Sequence, residues 1–282
     1  MKRIVTIQDI SAVGKCSATV ALPIISAMGV ETAVIPTAVL STHTKFKGFT
    51  FCDLTDQIAP IAAHWKKEGL DFDAVYTGYL GSFEQIRLVT EFIKDFKTDN
   101  NLIVVDPAMA DDGVLYYGFT PEFALEMAKL CGKADVIVPN LTEASYMLSI
   151  PYVGEDYDEA YIKDVLVKLT ALGAKKAVLT GVSFEKGRLG VMSYDSTTGK
   201  FASYMGERVP QSFHGTGDVY ASALVGGLTN GLSLESAMAL AVDYTVAAIK
   251  DTVNEENHHW YGVNFERVFP LLLSELDRRK KQ

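Results

Sequence analysis

The chain has 282 residues, 48% apolar and 22% charged, an ordinary globular composition with room for one large α/β domain or two small ones. Its formal net charge of −9 argues against nucleic acid as a partner, although a local pocket can still oppose the global sign and hold an anion. No apolar run approaches the roughly 20 residues of a membrane span, and the stretch in MKRIVTIQD is too short for a signal-peptide core, so no membrane association is expected.

In chain order, Ile4–Ile7 reads as a buried strand, Gly14–Met28 as a helix and Thr32–Ile35 as the next strand. Leu54–Glu68 is helical, Ala74–Thr77 a strand, Phe83–Phe96 helical and Leu102–Val105 a strand. Pro121–Leu130, Val136–Val138, Tyr161–Leu172 and Ala177–Leu179 continue the alternation. Strands apolar on both faces between helices indicate a mostly parallel sheet covered on two sides. After Thr180 the rhythm changes. Arg188–Ser193 and Lys200–Glu207 flank a turn-rich DSTTG and read as an antiparallel hairpin on one sheet edge. Helices return at Asp218–Asn230, Leu234–Thr252 and Phe265–Arg279. With no Pro- or Ser-rich linker and no repeat, residues 1–282 are expected to form a single domain. Cys16, Cys52 and Cys131 are widely spaced and form no CxxC pair, which predicts reduced thiols and a cytoplasmic location.

Ligands of open α/β sheets bind beyond the carboxyl ends of the strands. The segment Gly215, Thr216, Gly217, Asp218 opens a small-residue helix. Its glycines let backbone N–H groups turn to one side, and the helix adds its own unpaired N–H groups, which together form an anion hole. A carboxylate there would repel a merely bound phosphate. It makes sense beside a transferring phosphoryl group, taking a proton from the attacking hydroxyl. A glycine turn with Asp218 as an ordinary helix cap is the bland alternative. Gly14, Lys15, Cys16 and Ser17 imitate a P-loop, but Asp9 stands where its first glycine belongs and Cys16 replaces the hydroxyl ligand.

GTGD in this setting resembles the signature of the ribokinase superfamily, and the similarity extends over nearly the whole chain. It implies a three-layer α/β sandwich and ATP-dependent phosphorylation of a small-molecule hydroxyl. Asp218 would be the base, with the amides of Gly215, Thr216 and Gly217 on the phosphoryl group. Asp106-Pro107 and Pro139 to Glu143 resemble the family's DP and PN-x-x-E segments. By that resemblance Asp106 and Glu143 organise Mg²⁺ through water, Asn140 contacts the ATP phosphates, and Thr180 and Gly181 contact the nucleotide. Asp106 and Asn140 each have a helix-cap alternative, and Asp111 is a candidate third acid. Similar kinases are often homodimers and often need K⁺.

Three segments are similar to the pyridoxal kinase branch. Ser11 in QDIS matches a serine that meets the polar edge of the pyridine ring, with a helix cap as its alternative. His43 and Thr44 in LSTHT match S-N-H-T and would line the ring, with Thr42 in place of the usual Asn. Tyr79 in GYLGS-x-EQ would stack on the ring, a core tyrosine being the alternative. The expected reaction is phosphorylation of the 5′-hydroxymethyl group of a B6 vitamer. Adenine would lie over the later helices, and Ser183–Gly190 would close over the nucleotide. Hydroxymethylpyrimidine kinase is the first alternative, although the Gly-Gly-Ala-Gly stretch is missing. A non-catalytic pyridoxal phosphate carrier is the second. Sugar kinases usually carry a paired-glycine loop and a larger β lid.

Overall fold

The computed structural model describes residues 1–281. Among them, β1 (Arg3–Val13), β2 (Glu31–Thr42), β3 (Phe51–Asp53), β4 (Ala74–Thr77), β5 (Leu102–Val105), β8 (Val136–Ile137), β9 (Lys176–Val182), β10 (Arg188–Asp195) and β11 (Lys200–Glu207) form one sheet of nine strands. Its order is β11-β10-β9-β8-β5-β4-β1-β2-β3. The six strands from β2 to β9 run parallel, and β3, β10 and β11 are antiparallel additions at the two edges. A separate two-stranded hairpin, β6 (Ala110–Asp111) and β7 (Val114–Leu115), lies beyond the end of β5.

Helices cover both faces, so each central strand is apolar on both sides. Val5, Ile7, Ile103, Val105, Ala177 and Leu179 face α2 (Thr55–Lys67), α3 (Phe83–Phe96), α4 (Pro121–Cys131), α5 (Leu141–Leu148) and α6 (Glu159–Ala171). Ile4, Val104, Val136 and Val178 face α1 (Ala18–Ala27), α7 (Thr216–Thr229), α8 (Leu234–Val253) and α9 (Phe269–Lys280). This is the three-layer sandwich with a mostly parallel sheet and an antiparallel edge hairpin that the sequence predicts.

The differences have local causes. β1 and β2 continue well past Ile7 and Ile35, because they pair with each other beyond the reach of β4. Their register shifts between Gln8 and Ile10, opposite Pro36–Val39. Such a bulge accommodates a proline that donates no ladder hydrogen bond. β3 then pairs with Ala38–Leu40, so the sandwich carries a small edge flap. Helix α1 starts at Ala18, not Gly14, because Lys15 and Ser17 adopt φ of 50° and 51°, left-handed values that no helix contains. The C-terminal helical pattern splits into a short 3₁₀ turn, Phe265–Val268, and α9, with Pro270 in its first turn. Ser183–Gly190 is not a free lid. Residues 188–190 belong to β10, Ser183 Oγ donates to the Arg188 carbonyl at 2.7 Å, and the Ser183 amide donates to Tyr157 Oη at 3.0 Å.

Candidate active site

The carboxyl ends of β1, β4, β5, β8 and β9 meet the N-termini of α1 and α7. Gly215 is the N-cap of α7 at φ 80°. The loop 14–17 lies against it: a Cβ on Gly215 would stand 2.1 Å from the Lys15 carbonyl oxygen. Lys15 itself reaches away, to the Val263 carbonyl at 3.1 Å and Glu266 at 2.9 Å, so this loop is no phosphate-binding lysine loop.

Asp218, in the first turn of α7, is half-buried. Burial, opposed by the Ser17 amide and reinforced by the Asp9 carboxylate, pushes its carboxyl up to about 7. Asp106, at the end of β5, is 8% exposed, and burial beside Glu143 and Asp218 raises it well above the usual range. Glu143 is also raised, chiefly by burial. The structure thus brings Asp106, Glu143 and Asp218 together as acids.

The two residues of the PN-x-x-E segment are occupied locally. Asn140 and Glu143 form a reciprocal capping box on α5: Asn140 Oδ1 accepts from the Glu143 amide at 2.9 Å, and Glu143 Oε2 accepts from the Asn140 amide at 2.8 Å. Glu143 Oε1 also accepts from the Met109 amide at 3.1 Å, and Asn140 Nδ2 donates to the Ala110 carbonyl at 2.8 Å. Both side chains therefore hold the β6–β7 hairpin over the site. Glu143→Ala should cost about 1–3 kcal/mol by orphaning these amides. Urea unfolding checks this, and an unchanged midpoint contradicts it.

No group of three described His, Cys, Asp or Glu side chains is arranged as a direct metal-ligand set. A buried carboxyl with two further acids beside it still suits a hydrated divalent ion held through water, as Mg²⁺ commonly is. Asp111 is exposed on the hairpin, and its charge adds to the rise of Glu143. Thr180 and Gly181 lie on β9, where Thr180 bridges to Asn140 and Gly181, at φ 72°, faces open space. Beyond β9 a cavity of about 880 Å³ is lined by Tyr157, Ser183, Phe184, Gly187 and Arg208 among others.

On the other side of Asp218, Ser11 is buried and its hydroxyl donates to Asp9 Oδ2 at 2.9 Å. Tyr79 follows β4 and packs at 5.5 Å from Phe119. His43 is 2% exposed, with both ring nitrogens engaged: Nδ1 accepts from the Lys45 amide and Nε2 donates to the Tyr261 carbonyl, each at 3.2 Å. It therefore offers a ring wall, not a free nitrogen. Thr44 is exposed beside it. In GYLGS-x-EQ, Gln85 is a buried tie: it accepts from the Gly81 amide at 2.7 Å and donates to Thr55 Oγ1 at 2.9 Å. Ser82 caps α3.

Sequence reasoning missed Asp9, Cys16, Ser17 and His214. Asp9 and Cys16 stand in the pocket wall beside Asp218, and burial with those two acids keeps the Cys16 thiol protonated. His214 packs on His43 at 4.4 Å, and burial lowers it to about 4. A signal for Asp9 existed, since positions i and i+2 of a strand share a face, which pairs it with Ser11.

Buried acids with raised folded-state values make the folded chain bind more protons than the unfolded one. His43 and His214, both lowered, act oppositely, but only below their ordinary value of 6.5. Above it, from about pH 6.5 to 8.5, Asp218 and Glu143 still lose protons on unfolding. The ligand-free protein should therefore lose a few degrees of Tm across that window. Asp218→Asn should flatten the slope. A Tm that rises across the window contradicts the burial described here.

These features are those of an α/β small-molecule kinase. A phosphomethylpyrimidine kinase family model matches residues 22–262, and the chain belongs to that family. It is 31% identical to the pyridoxine kinase of Bacillus subtilis over 194 residues, 66% of each chain and so just under two thirds of that relative's length. Among solved structures it superposes on a Bacteroides thetaiotaomicron protein described as a phosphomethylpyrimidine kinase, in an orthorhombic crystal form with pyridoxal. The TM-score is 0.91 at 40% identity, covering 96% of this chain and 95% of that one. Pyridoxal kinase from Lactobacillus plantarum superposes with TM-score 0.90 at 31% identity, covering 99% of both chains.

Proposed function

We propose that this chain is an ATP-dependent B6-vitamer kinase that phosphorylates the 5′-hydroxymethyl group of pyridoxal, with Asp218 as the base and residues 1–282 acting as one kinase domain. The observation that carries this reading is the placement of Asp218. It lies in the first turn of α7, where the helix N-terminus meets the Asp106 carboxylate on one element and the Asp9 carboxylate on another. The pyridoxal-bound relative at 40% identity supports the substrate class.

In this reading the vitamer's ring lies against Tyr79 with the His43 wall and Thr44 beside it. Its hydroxymethyl group faces Asp218. A carboxyl raised toward 7 is a competent proton acceptor near neutral pH, since base strength is matched to the operating range. The amides of Gly215, Thr216 and Gly217 stabilise the charge on the transferring group. Asp106 and Glu143 would hold Mg²⁺ through water. That ion would supply charge neutralisation on the ATP phosphates. Asn140, already spent on its cap, keeps the hairpin in place, and Thr180 and Gly181 border the nucleotide. The cavity beyond β9, walled by Tyr157 and Phe184, has room for a nucleoside base. A K⁺ requirement, a homodimeric state and cytoplasmic residence are also part of the proposal, on the resemblance and the three separate cysteines. No described helix is long and apolar enough to cross a membrane.

Hydroxymethylpyrimidine kinase activity is the second reading, favoured by the family model's own description. The test is product analysis on purified protein with ATP and Mg²⁺. Stoichiometric conversion of pyridoxal and ATP to pyridoxal 5′-phosphate and ADP supports the first reading. Tight pyridoxal phosphate binding without turnover would support a carrier instead.

A further inference from the structure

Lys15 belongs to a motif that the mechanism above leaves without a task, the Gly14–Ser17 segment that imitates a P-loop. Its side chain is fully committed. Nζ donates to the Val263 carbonyl at 3.1 Å, to Asn264 Oδ1 at 3.4 Å and to Glu266 Oε2 at 2.9 Å, which occupies all three ammonium protons. The Phe265 ring lies 5.6 Å from the same nitrogen, within cation–π range. The receiving segment is itself tied to the C-terminal end of α8 and the turn after it. The Asn264 amide donates to Thr252 Oγ1 at 2.7 Å, and Asn264 Nδ2 donates to Glu255 Oε2 at 2.7 Å.

The rest of Lys15 is held as closely. A Cβ on Gly262 would stand 2.6 Å from Lys15 Cβ, and one on Gly215 would stand 2.1 Å from the Lys15 carbonyl oxygen. Lys15 is thus threaded between the C-terminal segment and the N-cap of α7, with a glycine making room on each side. Lys15 and Ser17 stand at φ 50° and 51°, and left-handed residues persist where their surroundings fix them. The loop leads into α1, which packs on α7, and the Ser17 amide acts on the Asp218 carboxylate. The Lys15 and Glu266 side chains are 22% and 47% exposed, so their ion pair adds little to stability. Its consequence is placement.

Resting on the kinase reading of the site, we infer that Lys15 is a positioning residue for phosphoryl transfer: its ammonium moors the 14–17 loop to residues 263–266, and the loop's backbone in turn seats Gly215 at the N-terminus of α7. Lys15 touches neither substrate. It acts through the backbone it shares with the loop, and Glu266 and Asn264 act through Lys15. The lysine of a true P-loop holds phosphate directly, whereas here the same residue type fixes the neighbour of the amides that would do so.

The test is steady-state kinetics of Lys15→Met, Lys15→Arg and Glu266→Gln beside the wild type, well below the Tm of each. Misplacement at a phosphoryl-transfer site predicts a kcat loss on the order of 10- to 100-fold in Lys15→Met, with both substrates' KM within about threefold. Lys15→Arg, which keeps the charge, should recover most of that loss, and Glu266→Gln should lose about three- to tenfold. A double-mutant cycle with Gly215→Ala separates positioning from general support. That substitution already forces the two loops apart, so adding Lys15→Met should cost clearly less than it does alone. Independent, multiplicative losses overturn the assignment. So does a lowered Tm with kcat unchanged in Lys15→Met, or an equal loss in Lys15→Met and Lys15→Arg. Should Lys15→Met fail to fold, Glu266→Gln decides: its several-fold kcat loss supports the mooring, and an unchanged kcat overturns it. Failure of the underlying reading shows in the wild type, as no phosphoryl transfer from ATP to any B6 vitamer or to hydroxymethylpyrimidine, and overturns both. The variants speak to Lys15 alone.

Discussion

Asp218→Asn is expected to lower kcat on the order of 10²- to 10⁴-fold, the usual contribution of a positioned general base. The amide keeps the side chain's size and its place in the first turn of α7, so the pyridoxal and ATP KM values should change little. It also removes a charge that burial disfavours, so Tm at neutral pH should not fall. The combination matters: a large kcat loss in a fully folded protein that binds both substrates separates a base from a helix cap. Turnover within a few-fold of wild type would remove Asp218 from that role.

Gly215→Ala should be nearly as damaging, for a different reason. The residue sits at φ 80°, a conformation that costs an alanine about 1–2 kcal/mol. The added Cβ would also meet the Lys15 carbonyl oxygen at 2.1 Å. That neighbour is backbone in a loop already holding two left-handed residues, so relief requires the two loops to part. A displacement of about 1 Å at a phosphoryl-transfer site can cost on the order of 10² in rate. We expect that loss together with a lowered Tm. Gly217→Ala is the internal control. Nothing lies within 4 Å of its would-be Cβ and it has no positive φ, so its amide survives and kcat should change only a few-fold. Equal behaviour of the two variants, checked by kcat and thermal melting, contradicts the packing described here.

The central elements were legible because their ends carry chemical signals. Ala74–Thr77, Phe83–Phe96 and Leu102–Val105 match residue for residue. Ser82 caps α3, and the flanking strands are apolar on both faces. The flap was not legible. β3 is three exposed residues whose partner is supplied by a tertiary ladder with Ala38–Leu40, and Pro36 reads as a strand end. Helix α5 was hidden because it is eight residues long. The segment drew attention for its Asn and Glu, and those same residues are its capping box.

The site shows the same division. Asp218, Asp106 and Glu143 converge as the motifs implied. A motif names residues, however, and not the atoms that remain free. Hydrogen-bond accounting turns His43 into a wall and Asn140 into a brace.

The most direct test of the central claim is the ratio of kcat/KM for pyridoxal to that for hydroxymethylpyrimidine, measured with the wild-type protein at saturating ATP and Mg²⁺. A B6-vitamer kinase predicts a ratio well above one, with pyridoxal 5′-phosphate as the product. A ratio well below one would keep the fold and the base but contradict the substrate pocket described here.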